Sequence, residues 1–368
     1  MRNFGFGLMR LPRLEDGSID VELTSQLVDM FMEAGFTYFD TAWLYPGSEE
    51  AIRKALVERY PRESFQLATK VSAWAGPKTK EEAEEQLKVS MERCGTDYFD
   101  YYLLHNLGEN RSHFYDDYEM WDFLQEMKAK GVFRHVGFSF HSTPEELDAI
   151  LTAHPEMEFV QLQLNYADWE NPAIQSRGVY EVARKHGKPI IVMEPVKGGM
   201  LANPPESVAK IFKEADPNMS CASWAIRYAA SLPGVMMVLS GMNRIEQMQE
   251  NISYMKEFRP LTEEQQAVVK AAAEEMKKIP LIPCTVCNYC AKVCPMEIGI
   301  SGSFTAMNIL TLYKDLPFAK GQEAWLVGKH ARKQAVECIK CGACEEACPQ
   351  HISIREELEK VVEAFGQA

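Results

Sequence analysis

No apolar run in the 368-residue chain approaches the roughly 20 residues that span a bilayer. The opening MRNFGFGLMR lacks the apolar stretch and small-residue cleavage site of a secretory signal. Basic charge is scarce as well. Thirty-nine Lys and Arg face 53 Asp and Glu, for a net charge of −14, and no basic stripe interleaves with aromatics. Together these absences argue against a membrane anchor and against nucleic acid as a partner, and the expectation is a soluble, cytoplasmic protein.

Cysteine is almost missing from the first 283 residues. Only Cys94 and Cys221 occur there, both in helical patterns where a thiol reads as a small buried hydrophobe. The other eight of the 10 cysteines fall in two short runs, CTVCNYCAKVCP (Cys284 to Pro295) and CIKCGACEEACP (Cys338 to Pro349). Clustered Cys-x-x-Cys in a large chain without a secretory signal points to metal binding rather than to disulfides. Charge is uneven too. From Leu281 onward there are 9 basic and 10 acidic residues, leaving 30 against 43 earlier, so the acidity belongs to the first part.

That first part alternates β-rich runs with amphipathic helical stretches. The predicted strands are Phe4–Leu8, Thr37–Asp40, Phe65–Val71, Phe99–His105, His135–Ser139, Phe159–Asn165, Pro189–Glu194 and Val235–Ser240. Helices are expected at Val21–Ala34, Glu49–Tyr60, Lys80–Arg93, Trp121–Lys130, Pro144–Ala153, Ala173–His186, Ser220–Ser231, Ile245–Glu257 and Thr262–Lys278. Alternation implies parallel pairing, because each return needs a crossover. The pattern alone leaves a doubly wound sheet open, but eight βα units in about 260 residues is the count of a (β/α)8 TIM barrel. The segment IPLIP (Ile279 to Pro283) reads as a stiff connector, giving an expected division into 1–278 and 279–368.

Barrel chemistry sits at the C-terminal strand ends. Polar residues collect there: Asp40, Lys70, His105, Ser139, Asn165 and Glu194, with Tyr45 shortly after the second strand. Asp40, Tyr45, Lys70 and His105 form a set suited to carbonyl reduction by hydride. Tyr45 would donate a proton, Lys70 would lower its pKa, Asp40 would orient Lys70, and His105 would bond the carbonyl oxygen.

In the run DTAWLY (Asp40 to Tyr45) with Ser48 and Glu49, in the strand-end Lys70 and in DYYLLH (Asp100 to His105), the chain resembles an aldo-keto reductase over roughly its first 260 residues. The resemblance implies a (β/α)8 fold, NADP or NAD bound extended across the barrel mouth, and Asp40, Tyr45, Lys70 and His105 as catalytic tetrad. It implies that Ser139 and Gln161 hold the nicotinamide amide, with Phe140 standing where the family usually has Asn. Met193, followed by Glu194, Pro195 and Val196, stands where the family often has an aromatic on the nicotinamide. Gly241, Arg244, Glu250 and Asn251 match the adenosine-end motif, with Arg244 facing a 2′-phosphate and Gln247 in place of a frequent Arg. Trp43, Trp74 and His141 are candidate pocket walls. Family members usually carry a hairpin ahead of strand one. Here Phe4 already opens that strand, so either another cover for the barrel bottom or a less protected end is expected.

Cys-x2-Cys-x2-Cys-x3-Cys-Pro, given twice, is the spacing of a two-cluster [4Fe–4S] module in which the fourth cysteine of each run ligates the other cluster. One set is then Cys284, Cys287, Cys290 and Cys348, and the other Cys338, Cys341, Cys344 and Cys294. Zinc, which closes a site with four ligands, fits the duplicated three-plus-one pattern less well. The segment between the runs includes a predicted helix at Ala319–Gln334 and resembles the helical, ferredoxin-like dicluster type. Three functions follow: a carbonyl or alcohol oxidoreductase with accessory clusters, an enzyme exchanging electrons with a ferredoxin or flavodoxin, or a redox-sensing interaction protein.

Overall fold

The computed structural model describes residues 3–108, 111–171, 174–284, 286, 288–328, 331–348 and 350–366. Eight strands close in sequence order into one barrel: β1 (Phe4–Gly7), β2 (Tyr38–Asp40), β3 (Gln66–Val71), β4 (Phe99–Leu107), β5 (Phe133–Phe140), β6 (Phe159–Gln163), β7 (Ile190–Met193) and β8 (Val235–Ser240). All pairings are parallel, and β8 returns to β1 with Phe4 opposite Val238. Closure sets aside the doubly wound sheet.

The crossovers run through α1 (Val21–Glu33), α2 (Ser48–Ile52), α3 (Lys80–Cys94), α4 (His113–Asp117), α5 (Met120–Ala129), α6 (Pro144–Ala153), α7 (Ser176–Lys185), α8 (Glu206–Ala215) and α9 (Cys221–Ser231). After β8 come α10 (Ile245–Met255) and α11 (Glu263–Lys277). The starts follow cap chemistry: Asp20, Thr79 and Thr143 each accept from the backbone N–H three residues on, and Pro144 opens α6. The helix expected over Glu49–Tyr60 is shorter. It widens to a π turn at Arg53–Val57 and stops before Pro61, which cannot donate to a helix.

Strand alternation builds two cores. Phe39, Leu67, Tyr102, Leu104, Val160, Leu162, Val192 and Val238 face outward into the main apolar cluster under the helices. There Phe31 meets Phe4, Phe6, Phe36 and Phe39 at ring distances of 5.1–5.9 Å, and its truncation to alanine costs about 3–5 kcal/mol. The opposite register, Tyr38, Ala68, Tyr101, Leu103, Phe159, Ile191, Met237 and Leu239, fills the barrel. A Cβ on Gly5 would stand 2.8 Å from Leu239 and 2.9 Å from Tyr38, so the large plug requires glycine there. These aromatics close the lower barrel from inside.

The chain divides into two compact units, Met1–Ala202 with Asn218–Val269, and Asn203–Pro217 with Lys270–Ala368. Helix α8, which falls outside the predicted helices, belongs to the second unit. That unit also contains α12 (Tyr289–Val293), α13 (Ile300–Tyr313), α14 (Leu316–Gly328), α15 (Ala343–Glu346) and α16 (Ile354–Phe365). The expected helix at Ala319–Gln334 starts and ends earlier. Lys333 instead pairs with Ile298 in a parallel bridge, its N–H donating to Glu297 and its carbonyl accepting from Gly299. The IPLIP stretch is not a bare connector either. The Asn308 carboxamide clamps Ile282 through both its N–H (2.8 Å) and its carbonyl (2.9 Å).

Candidate functional site

Five barrel-mouth candidates stand two residues beyond a residue of the inner register: Asp40 above Tyr38, Lys70 above Ala68, His105 above Leu103, Gln161 above Phe159 and Met193 above Ile191. Two residues is one repeat of the strand, so packing the plug aims these side chains into the mouth. Lys70 is fully buried and donates to Asp40 Oδ1 and to the Thr41 carbonyl (2.7 Å). Gln161 Nε2 donates to Asp40 Oδ2 at 3.1 Å. Burial raises the pKa of Asp40 in spite of the charge and hydrogen bond from Lys70.

Tyr45 lies in the turn after β2, edge-on to His105 at 5.7 Å, with Lys70 Nζ 5.4 Å from its ring centre. The sequence reading expected Lys70 to lower the phenol pKa. The structure gives the opposite direction, because burial and then the charges of Asp40 and Glu194 push it up, opposed by Arg10. Lys70 spends its charge on Asp40. The turn is fastened from both sides: Ser48 Oγ donates to the Leu8 carbonyl (3.0 Å) and lies 2.8 Å from Thr41 Oγ1. Buried Glu49 accepts from Thr69 (2.7 Å) and from Arg93 (3.4 Å).

His105 is held at its ring and at its backbone. Ser72 Oγ lies 2.9 Å from Nδ1, while the His105 carbonyl accepts from Trp74 Nε1 (2.9 Å) and from the Tyr115 hydroxyl. Gln86 grips Ser72 through its N–H (2.8 Å) and carbonyl (3.1 Å). Burial, followed by Lys70, His141 and Arg111, drives the His105 pKa well below its ordinary value. Ser72, Gln86 and Tyr115 were not read from the sequence. Ser72 follows Lys70 by two residues, and that inward register was the available signal.

The remaining candidates separate. Ser139, 1% exposed, accepts from the Asn106 N–H at 2.7 Å and sits beside the tetrad. Phe140 points the other way, its ring packed in the outer core beside Phe138. Asn165 is consumed by the β6–α7 loop: it donates to Asp168 and to the Glu194 carbonyl and accepts from Ala167 and Asp168. Asp168, also missed, is bonded by Lys197 and Gln163 and locks that loop to the one after β7.

Met193 is half-buried, Pro195 is buried, and Val196 packs on the outer core. Glu194 has φ +58° and pairs with Arg10 at 3.1 Å. At the α10 end, Gly241, Arg244 and Glu250 are exposed. Gln247 accepts from the Asn243 N–H (2.9 Å), and Asn251 joins Ser240 (3.2 Å) to Tyr254. Trp43 and Trp74 are half-buried and His141 is exposed, with Arg93 5.6 Å from the Trp43 ring and Arg111 5.9 Å from the Trp74 ring.

In the second unit the cysteines line two small cavities. Cys338, Cys341 and Cys344 share one with Cys294. Cys284 and Cys290 share the other with Cys348. Cys287, Thr285 and Pro349 lie outside the described residues. Backbone N–H groups of Lys340 and Ile298 donate to Cys338 Sγ (3.4 Å) and Cys294 Sγ (3.5 Å). All nine described cysteines are free thiols, and no helix among the described residues is long and apolar enough to cross a membrane.

A closed parallel barrel with an Asp–Lys pair, a Tyr and a His at its C-terminal mouth defines an oxidoreductase class of (β/α)8 protein. The chain belongs to the aldo/keto reductase family, whose model matches residues 3–274, and it carries a 4Fe-4S dicluster domain over residues 283–353. Among relatives, the uncharacterized oxidoreductase YqkF of Bacillus subtilis is 27% identical over 74% of this chain and 92% of its own. The methylglyoxal reductase DkgB of Escherichia coli O157:H7 is 30% identical over 50% of this chain and 62% of its own. Among solved structures, the holo form of aldo-keto reductase AKR11C1 from Bacillus halodurans superposes with a TM-score of 0.60 at 26% identity, covering 73% of this chain and 91% of that one. A Klebsiella pneumoniae aldo-keto reductase in complex with NADPH shares the fold, with a TM-score of 0.59 at 20% identity over 73% and 90% of the two chains.

Proposed function

We propose that the barrel reduces a small carbonyl compound with NAD(P)H, or oxidises the alcohol in reverse, through Asp40, Tyr45, Lys70 and His105. The observation that carries this reading is the meeting of those four side chains at one end of the barrel. When bound, the reduced nicotinamide supplies the hydride to the carbonyl carbon. The chain's part is to orient the substrate and deliver a proton to its oxygen.

Tyr45, with its pKa pushed up, keeps its proton in the neutral range and is the donor. His105, with its pKa pushed down, is uncharged there. With Ser72 donating to Nδ1, the ring hydrogen sits on Nε2 and can bond the carbonyl oxygen. Lys70 Nζ, held by Asp40 and the Thr41 carbonyl, stands 5.4 Å from the phenol ring centre and is the cation available as negative charge develops on it.

The donor set suits a nicotinamide amide. Ser139 accepts from Asn106 and keeps its own hydrogen to donate, while Gln161 uses Nε2 on Asp40 and keeps its oxygen to accept. Met193 would pack on the ring, and the loop through Glu194, Pro195 and Val196, with Gly241, Arg244, Gln247, Glu250 and Asn251, would border the rest. Exposed Arg244 favours the 2′-phosphate of NADP over NAD. Free thiols at all nine described cysteines suit a cytoplasmic setting, and a functional division at 278/279 falls between the ends of the two family matches, 274 and 283.

In the second unit Cys284, Cys287, Cys290 and Cys348 would hold one [4Fe–4S] cluster, and Cys338, Cys341, Cys344 and Cys294 the other. The four-cysteine cavity that draws Cys294 across to the second run supports this pairing. Such clusters supply one-electron exchange. The dicluster match favours a second reading, in which a ferredoxin or flavodoxin exchanges electrons with this unit. A purely redox-sensing role is the third.

The test is anaerobic protein incubated with NADPH and methylglyoxal, the substrate in the name of the Escherichia coli relative, followed by cofactor oxidation and the clusters' electron-spin signal. Turnover abolished in Tyr45→Phe supports the reductase. Full turnover in that variant sinks it. A cluster signal that responds to NADPH or methylglyoxal favours the second reading. If the protein binds no NADPH while its cluster signal follows redox conditions, the third is favoured.

A further inference from the structure

We propose that Arg355 sets the cluster of Cys294, Cys338, Cys341 and Cys344 at the higher reduction potential of the two, so that the first electron entering the pair rests there. This rests on the two-cluster reading above. Reduction adds one electron, and hence one negative charge, to a cubane already ringed by four thiolates. A cation at the cluster favours the reduced form, and an apolar enclosure opposes it.

The two cavities differ in this respect. Arg355, at the start of α16, lines the cavity of Cys294, Cys338, Cys341 and Cys344. Its Cζ lies 3.8 Å from where a Cβ on Gly342 would stand, and Gly342 sits between the ligands Cys341 and Cys344. The described lining of the other cavity carries no charged side chain. Beside its cysteines it offers Asn288 and Gln350 as polar groups, against Ile300, Phe304, Ile352 and Ile354.

Glu345 holds the guanidinium in place. Its carboxylate accepts from Arg355 Nη2 (2.8 Å), Nε (3.0 Å) and the Arg355 backbone N–H (2.8 Å). Arg355 is among the groups lining the cavity, and Glu345, which follows Cys344 in the chain, is not. The offset from Glu345 is therefore partial. Lys340 is turned away to Glu359, with both side chains more than half exposed and screened.

The experiment is an anaerobic redox titration of the full-length holoprotein with dithionite and mediators, read by electron paramagnetic resonance, with iron and acid-labile sulfide assayed in parallel. Two midpoints are expected. Arg355→Gln should lower the upper midpoint and leave the lower one in place, Arg355→Lys should restore most of the difference, and Glu345→Gln should move the upper midpoint upward. A shift confined to the lower midpoint, an equal shift of both, no shift, or a single shared midpoint in the wild type would overturn the proposal. Should Arg355→Gln fail to load, the sign of the Glu345→Gln shift decides. Absence of cluster iron and sulfide from the wild type would overturn the two-cluster reading and this inference with it. Full loading with an unmoved upper midpoint would overturn this inference alone.

Discussion

At the barrel mouth, Asp40, Lys70, His105, Ser139 and Gln161 come from five strands, and all but Ser139 are aimed by an apolar residue two positions before them. In the second unit the ligand cysteines come from two short runs, and the cysteines themselves make up part of the small apolar cluster there. The first site is a by-product of a core that packs without help. The second has a smaller core, in which Ile298, Ile300, Phe304, Ile352, Ile354, Leu358 and Val361 pack around the ligands themselves. Preorganisation therefore resides in the scaffold in one case and in the bound group in the other.

Iron removal is the most drastic way to break that comparison. Chelation under anaerobic conditions should melt the second unit, with loss of helical circular dichroism from α13 and α16, and leave the barrel's own thermal transition in place. A holoprotein and an apoprotein with identical spectra would show that the second unit is self-supporting.

Next in size is Lys70→Met, which removes the cation beside Tyr45. It should cost about a hundred- to ten-thousand-fold in kcat/KM for carbonyl reduction, with the cluster spectrum unchanged. Ser72→Ala should cost less. One hydrogen bond worth about 1 kcal/mol corresponds to about fivefold in rate, and Ser72→Thr, which keeps the hydroxyl, should recover most of it.

The smallest effect is in pH. His105 is uncharged in the fold, so below its ordinary pKa of about 6.5 the unfolded chain binds a proton that the folded chain does not. Barrel stability should therefore be fully present above that pH and fall as pH drops below it, with a slope of at most about 1.4 kcal/mol per unit. Urea unfolding across that range should show the slope in the wild type, and His105→Gln should flatten it.

Much of the barrel was legible because strand runs and inward register are local properties. Seven of its strands lie within two residues of expectation at both ends, and β8 coincides. What escaped depended on partners far along the chain. Ser72 acquires its role from His105 and Gln86, 33 and 14 residues away. The direction of the Tyr45 shift depends on burial and on Glu194, neither visible in DTAWLY. A polar or motif position at a strand end says nothing about which way the side chain turns or which loop claims it, as the outward packing of Phe140 and the loop bonds of Asn165 illustrate. In the cysteine runs, spacing alone suggested the exchange of Cys294 and Cys348, while the charge difference between the cavities came from Arg355, well outside either run.

The central claim, that the mouth built by Asp40, Tyr45, Lys70 and His105 delivers a nicotinamide hydride to a carbonyl, is tested most directly by isotope transfer. The holoprotein is given methylglyoxal and NADPH carrying deuterium at the transferable position of the nicotinamide C4, and the alcohol product is analysed by mass spectrometry. One deuterium on the carbinol carbon, with no product from Tyr45→Phe, is the result expected. Alcohol formed without deuterium, or formed undiminished by Tyr45→Phe, would contradict the account.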